Sequence, residues 1–558
     1  MKRIINTVLI VATLSSAAFT LNSCQDALDI KQAGELQEQD LYTSVANLSE
    51  VLNGSIYAQL DPIDEIYFTA VFTDEVKPGS GSGGQEYALH RHFLDAASPV
   101  VTGGTVSTAS SDGIWLNHYK VINRVNRLLE GAKKVTPTSD KEKQTYNEIL
   151  AQARAIRAYC YVQLEAYFSK DMKDANALGV MLVKDVPSTD VQLPRVKNQD
   201  VYDFINADLD YARGILGGAK NPMRYFVDKN FVNAVAARFN LYRGETALAK
   251  QYAQAVITES GLSLTAAMPI EGINTVVKDA SGNPFNSGKF TEPVTKNWNI
   301  AFYGGIDATN GNGIAGGSFN PYRRMWADSD NGEVIFSLNR LPLGAGGSMG
   351  SRWNTNNSNL KGTPMWFWGR NLYNIFKNTP GDIRKYAYVD PSSDAKADYA
   401  SATAGNTRKD ALVIDKYPGK TSTSTRNDVK VFRLSEMYFI LAEAEVAAGN
   451  LSTAHDLIQK VREARNYANA AVTPTYSNTQ AAYEDILKER RVELALEGHR
   501  FIDLRRLAAK ANVEMDRNNT DDIIPVKNLK NGDYRYILPI PIKEMSANPN
   551  MEQNDGYY

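Results

Sequence analysis

Two distant stretches of this chain can be laid on each other residue by residue. With Gly244 of Arg243-Gly-Glu set on Gly449 of Ala448-Gly-Asn, the preceding core positions are Ala236, Ala237 and Leu241 in one copy. They are Leu441, Ala442 and Val446 in the other. After the glycine stand Ala249, Tyr252, Ala253 and Val256, against Ala454, Leu457, Ile458 and Val461. These intervals predict a helix, a glycine turn and a second helix, with alanines where the two helices touch. One such hairpin cannot bury its apolar face alone, so a chain that repeats it folds by stacking helix pairs, as tetratricopeptide arrays do. Such hairpins are usually scaffold, and in stand-alone arrays they often form a peptide groove.

Two helical zones are expected, over about 112–261 and 429–510. In the first, Leu116, Tyr119, Ile122, Val125 and Leu129 keep helical spacing, as do Ala153, Ile156, Tyr159, Leu164 and Phe168 on a helix over 149–168. Further helices are expected over 201–216, 230–242 and 247–258. The second zone holds a helix over 433–445, its partner over 452–468 and a last one from Glu489 onward. Between the zones, residues 263–428 are rich in Gly, Asn, Ser and Thr and too long for a plain loop. A short strand is expected there at Glu333-Val-Ile-Phe-Ser-Leu338. Loops held on a rigid scaffold are where binding residues concentrate.

The chain opens with Lys2 and Arg3. A stretch from Ile4 to Leu21 follows, apolar or small apart from Asn6 and a few hydroxyls: an export signal too weak and too short for a membrane span. It ends at Leu21-Asn-Ser-Cys24, the pattern of a lipoprotein signal, with Asn22 where a small or aliphatic residue is usual. Cleavage after residue 23 would leave Cys24 to be acylated, holding an otherwise soluble domain on a membrane surface. Cys160 is the one other cysteine and has no partner in the mature chain, so its core alone must hold it together. With 61 basic and 63 acidic residues the net charge is −2, and no basic run points to nucleic acid.

The C-terminal part carries the most specific text. Glu489-Arg-Arg-Val-Glu-Leu-Ala-Leu-Glu-Gly-His-Arg-Phe-Ile-Asp-Leu-Arg-Arg506 reads as a helix with an apolar stripe of Val492, Leu494, Leu496, Phe501 and Leu504. Glu493 and Glu497 then fall within reach of Arg490 and Arg500, an ion lattice on the helix and not an acid/base pair. Leu538-Pro-Ile-Pro-Ile-Lys-Glu544 and Asn548-Pro-Asn-Met-Glu-Gln-Asn-Asp-Gly-Tyr557 follow. Together these segments closely resemble the C-terminus of the SusD/RagB family, the surface nutrient-binding lipoproteins of Bacteroidetes. Arg157-Ala158-Tyr159 fits the family too, whereas Gln152-Ala153-Arg154 stands where it usually has Gly-Glu-Ala.

The resemblance implies a mainly α fold: a tetratricopeptide-like helical hairpin scaffold with a large loop-rich insertion carrying short strands. Residues 1–23 would be the signal peptide and 24–558 one domain, with scaffold at about 40–262 and 429–510, insertion at 263–428 and a terminal segment at 511–558. It also implies a lipid-anchored protein on the outer face of the outer membrane that lids a SusC-like TonB-dependent barrel transporter. Such a protein captures oligosaccharide or polysaccharide and passes it inward, with no cofactor and no chemistry on the ligand. Some members bind peptides, which is the first alternative; a surface glycosidase is the second, and no carboxylate pair in a fitting context supports it.

No motif declares a catalytic centre. Gly-x-Ser-x-Gly and His-Glu-x-x-His are absent from the sequence. His90-Arg-His92, with Asp95 nearby, has metal-ligand spacing without a clear third partner and reads as a polar loop. His118, His455 and His499 read as surface or satisfied core groups. Asp328-Ser-Asp-Asn-Gly-Glu333 begins like a calcium loop, but Gly332 and Asn339 stand at ligand positions, so it reads as a turn into the strand. Gly79 to Gly84 reads as a flexible loop. Aromatics of the insertion are the sharper signal: Trp298, Tyr303, Tyr322, Trp326 and Trp353, interleaved with Asn297, Asn299, Arg323, Arg324, Asp328, Arg352 and Asn354. Ring faces bind the apolar C–H faces of sugars while amides and guanidinium groups read the hydroxyls. These five rings are the expected ligand platform. Trp366 and Trp368 belong to the same aromatic set but rank below the other rings, because they precede Leu372-Tyr-Asn-Ile-Phe376 and Asp382-Ile-Arg384, which resemble framework of the family.

Overall fold

The computed structural model describes residues 41–79, 81–84, 86–94, 101–102, 105–106, 111–188, 190–219, 224–268, 305–306, 313–314, 320–341, 343–344, 346–353, 364–390, 393, 395–396, 410–420, 426–518 and 528–557. The expected leader, Cys24, Trp298 and Tyr303 lie outside them. Helices dominate. Outside the insertion, and numbered along the chain, they include α1 (Val45–Val51), α2 (Ile63–Phe72), α3 (Ser111–Ala132), α4 (Asp140–Phe168), α5 (Asn198–Ile215), α6 (Lys229–Tyr242) and α7 (Thr246–Glu259). After the insertion come α8 (Leu434–Ala447), α9 (Leu451–Arg465), α10 (Thr479–Glu493) and α11 (Arg500–Ala511). The mainly α reading holds. The helix expected from 149 begins earlier, at Asp140, because Ser139 accepts the Glu142 N–H at 3.2 Å while the Glu142 carboxylate takes the Thr138 N–H at 2.7 Å. This near-reciprocal cap starts a helix through polar sequence that has no apolar stripe to announce it.

The repeat is present in the register read from sequence. Helices α6 and α7 form one hairpin and α8 and α9 the other. Gly244 and Gly449 sit at φ +86° and +82°, where only glycine is free of Cβ strain. Both turns close alike: the Glu245 N–H donates to the Asn240 carbonyl at 2.8 Å, and the Asn450 N–H to the Glu445 carbonyl at 2.9 Å. Helix α7 packs on α8, so the hairpins stack, and Lys250 Nζ reaches Glu445 Oε1 at 2.7 Å across the seam. Ala249 and Ala454 are fully buried at the equivalent close approach. Ala249→Leu or Ala454→Leu is expected to lower stability by about 1–3 kcal/mol in urea unfolding without changing ligand preference. Neutral results at both positions would place the tight crossing elsewhere.

Every sheet among the described residues has two strands. The longer strands are β1 (Val76–Pro78), β2 (Leu178–Met181), β3 (Arg195–Lys197), β4 (Val334–Leu338), β5 (Trp366–Trp368) and β6 (Val429–Arg433). β4 is the strand expected in the insertion. It pairs antiparallel with β6, which runs directly into α8, so this part of the insertion is welded to the second hairpin. β1 pairs antiparallel with β5, Val76 opposite Trp368. The ladder continues past β1, with Gly79 and Gly81 N–H groups on the Met365 and Pro364 carbonyls at 2.7 and 3.0 Å. A Cβ on Gly79 would stand 2.2 Å from the Pro364 oxygen. The start of the glycine run is therefore a close backbone approach, a correction to its reading as a free loop.

Candidate binding site

Three of the five predicted platform rings are core. Tyr322 and Trp326 lie on a short helix, Pro321–Trp326, started by the Asn320 side chain, which accepts the Tyr322 N–H at 3.2 Å. Both rings are wholly buried. Their faces are already taken by the protein's own cations: Lys416 Nζ lies 4.3 Å over Trp326 and 4.4 Å over Tyr388, and the Arg465 guanidinium lies 4.7 Å over Tyr322. A π face is attractive to a charge that has lost its water, and here it serves that need in place of a sugar. The polar neighbours are used up in the same way. Arg323 donates to Asp415 Oδ2 at 2.7 Å, and Asp328 takes Lys430 Nζ at 2.6 Å together with the Asn427 side chain, so the calcium-like segment is a structural turn. Trp353 is buried against Tyr67, centroids 5.6 Å apart. As exposed stacking rings, Tyr322, Trp326 and Trp353 are corrected. Trp366 and Trp368 are framework, their indole N–H groups on Tyr67 Oη at 2.9 Å and the Tyr388 carbonyl at 2.8 Å.

Trp298 and Tyr303 belong to the stretch 269–319, within which the structure describes the antiparallel pair Gly305–Ile306 and Gly313–Ile314. Asn320 Nδ2 donates to the Met268 carbonyl at 3.0 Å, so the stretch leaves and rejoins the scaffold at one point.

The Glu489–Arg506 segment is not one helix. It breaks after Glu493: Leu496 is at φ +58° and Gly498 at φ +86°, and α11 starts at Arg500. Leucine pays a steric penalty there, offset because buried side chains satisfy both its backbone groups. Glu75 accepts its N–H at 3.1 Å and the Tyr417 hydroxyl donates to its carbonyl at 2.8 Å. The break points the acids inward, away from the partners expected on the helix. Glu493 takes Arg433 at 2.7 Å, Arg465 at 2.8 Å and Arg384 at 3.2 Å; Glu497 takes Lys416 at 2.7 Å and Arg433 at 2.8 Å. Glu333, at the head of β4, joins Arg433 and Arg465 at 2.8 and 2.7 Å. Arg490 instead meets Asp503, and Arg500 meets Asp74. Burial alone would raise the Glu493 carboxyl, but Arg465, Arg433 and Arg384 hold it well below the usual carboxylate range. An acid so held cannot give up a proton near neutral pH. This network cross-links elements that are distant in sequence.

The Asp74–His92 region is equally enclosed. Asp74 receives Arg500 at 2.8 Å through both carboxylate oxygens. His90 and His92 are buried and not a polar loop, and Arg517 gathers the carbonyls of Val71, Phe72 and Thr73 at 2.5–2.8 Å. Burial, together with the Asp74 charge, pushes the Glu75 carboxyl up to about 8 against the pull of its bond from Leu496. The folded state therefore keeps a proton that the unfolded chain releases above about 4.5, so stability is fully present below that value and is lost as pH rises towards 8. Glu75→Gln, which keeps the shape without the titration, is expected to be more stable than the parent at pH 8 by roughly 2–4 kcal/mol. That gap should close by pH 4.5; denaturation at the two pH values checks it, and a pH-independent gap would refute it.

One recess was not foreseen from sequence. A cavity of about 150 Å³ opens between α4 and the α5–α6 connection, lined by Glu148, Gln152, Leu216, Arg224, Phe226 and Val227 among others. Its signal was an aromatic and an arginine, Arg224-Tyr-Phe226, in the connection that follows Gly217-Gly218.

Comparisons agree with this architecture. A family model described as "SusD family" matches residues 344–557, and one described as "Starch-binding associating with outer membrane" matches residues 91–241. SusD-like protein P2 of Formosa agariphila is 23% identical over 553 residues, 96% of this chain and 97% of the relative. A SusD superfamily protein from Bacteroides vulgatus superposes with a TM-score of 0.66 at 20% identity, covering 93% of this chain and all of that one. A second Bacteroides vulgatus structure, described as a SusD-like carbohydrate binding protein, gives 0.58 at 18% identity over 91% of this chain and 98% of that one.

Proposed function

The chain belongs to the SusD/RagB family, and from that premise we propose that it is a cell-surface glycan-binding lipoprotein. It captures oligosaccharides and delivers them to a partner TonB-dependent barrel transporter in the outer membrane, without chemical turnover. The observation that carries this reading is the family model over 91–241, described as starch-binding and outer-membrane-associating. A relative of the same fold described as carbohydrate binding supports it. The ligand site we propose is the 269–319 stretch. With Tyr322, Trp326 and Trp353 committed to the core, Trp298 and Tyr303, beside Asn297 and Asn299, are the remaining rings for a sugar face.

Titration of the purified protein against a panel of polysaccharides and a panel of peptides tests the ligand class. Saturable binding to at least one glycan is expected; binding to peptides alone would replace this reading. The anchor we propose is lipid on Cys24, which closes the Leu21-Asn-Ser-Cys24 pattern after the apolar leader. Cys24→Ala should be exported yet recovered in the soluble fraction of cells lacking the transporter, and retention in the membrane fraction would contradict lipidation at this residue.

A further inference from the structure

We infer that the recess beside Phe226 is a second ligand site, a subsite for one neutral pyranose ring carried by the helical scaffold. None of the described residues of 263–428 lines it, so it is argued apart from the platform proposed above. A volume of about 150 Å³ suits a single six-membered ring: a cavity of that order lined only by hydrocarbon stays dry and takes benzene. Here the lining is mixed. Leu216 and Val227 supply apolar surface, and Glu148, Gln152 and Arg224 bring a carboxylate, an amide and a guanidinium to it.

The walls are held in place before any ligand arrives. Phe226 is 48% exposed, its ring set edge-on against Tyr57 at 5.8 Å and 88°. Tyr57 is pinned from both sides, its hydroxyl donating to Gln152 Oε1 at 2.7 Å and accepting the Val227 N–H at 2.8 Å. Arg224 stands at φ +56°, a strained setting for a residue with a Cβ. Ser337 N–H holds its carbonyl at 3.1 Å, and its own Nη2 donates to the Ser260 carbonyl at 3.0 Å.

Charge decides between ligand classes. Asp228 Oδ2 lies 3.7 Å from Arg224 Nη1, so the guanidinium is already compensated and an anionic ligand would gain little from it. That same Nη1 is buried and makes no hydrogen bond among the described residues, an unmet donor on a residue that lines the recess. A sugar ring with its C–H face on Phe226 and its hydroxyls towards Arg224, Gln152 and Glu148 meets these conditions together.

Saturation-transfer NMR on the purified protein tests this, with D-glucose, D-galactose, D-mannose, D-xylose, L-fucose and N-acetyl-D-glucosamine as separate probes, and D-glucuronate and L-alanine as charged ones. At least one neutral sugar should bind the parent protein, and Phe226→Ala should weaken it by about tenfold. Gly218→Phe, at a position where an added Cβ meets nothing within 4 Å, should fill the recess and abolish the signal. Both variants should keep the parent melting temperature and polysaccharide binding, and Trp298→Ala should leave the monosaccharide signal intact, which separates this site from the insertion. Absence of binding by all six neutral sugars, survival of the signal in both recess variants, its loss in Trp298→Ala, or binding by the charged probes alone would overturn the inference.

Discussion

Glu493→Ala is expected to lower the free energy of unfolding by about 3–5 kcal/mol, more than any single loss among the surface ion pairs. The carboxylate sits between three guanidinium groups, those of Arg433, Arg465 and Arg384, and all four residues are buried. Removing it leaves positive charge without water or counter-charge, a penalty larger than the attraction the pair supplied. Glu333 and Glu497 remain to share the burden for Arg433, and Glu333 for Arg465, so the loss is bounded. By contrast, Glu552→Ala, which breaks an exposed pair with Lys170, should cost no more than about 0.5 kcal/mol. Because the Glu493 carboxyl is held below its ordinary value, its contribution is present above the unfolded-state value of 4.5 and fades as pH falls below it. The deficit of the variant should therefore narrow in acid. Urea unfolding of the two variants measures both points; a loss below about 1 kcal/mol for Glu493→Ala would mean that the acid is not the hub of the network.

Trp326→Ala should be nearly as damaging, at about 3–5 kcal/mol. The indole is wholly buried, edge-on to Tyr417 at 5.6 Å and Tyr388 at 6.0 Å. Its face also supports Lys416 at 4.3 Å, and Lys430 and Arg433 at 5.2 Å each. Truncation opens a cavity and takes the π face from three buried cations at once. Glycan affinity per folded molecule should be unchanged. A variant that melts like the parent but no longer binds glycan would return Trp326 to the ligand platform.

What the sequence made legible followed local rules. The hairpin repeat was read in register because a left-handed glycine turn and alanine contacts are fixed by short-range geometry, and Gly244 and Gly449 both take that turn. The β4 strand was legible because Val334 to Leu338 is a short β-branched and aromatic run, broken only by Ser337, that follows turn residues. The break at Leu494–His499 was missed although Gly498 marked it and although the spacing of two from Val492 to Leu494 to Leu496 already departs from a helical stripe. The unforeseen term was tertiary: Glu75 and Tyr417, far away in sequence, stabilise Leu496 in its unfavourable conformation. The platform rings failed for a related reason. Composition cannot separate a tryptophan that faces solvent from one that faces lysine, and the cations over Trp326 and Tyr322 come from positions about 90 to 140 residues further along the chain. The α4–α5–α6 recess left only the short Arg224-Tyr-Phe226 trace in the sequence, because Tyr57, Gln152 and Phe226 meet only in three dimensions.

Paired binding and melting measurements on Trp298→Ala, Tyr303→Ala and Trp326→Ala test the central claim most directly, that glycan is held on the insertion by rings the core does not use. With a glycan that the parent protein binds, the first two variants should each lose about 1–3 kcal/mol of affinity, roughly five- to 150-fold, while melting like the parent. Trp326→Ala should show the reverse. Normal glycan affinity in both Trp298→Ala and Tyr303→Ala would contradict the account.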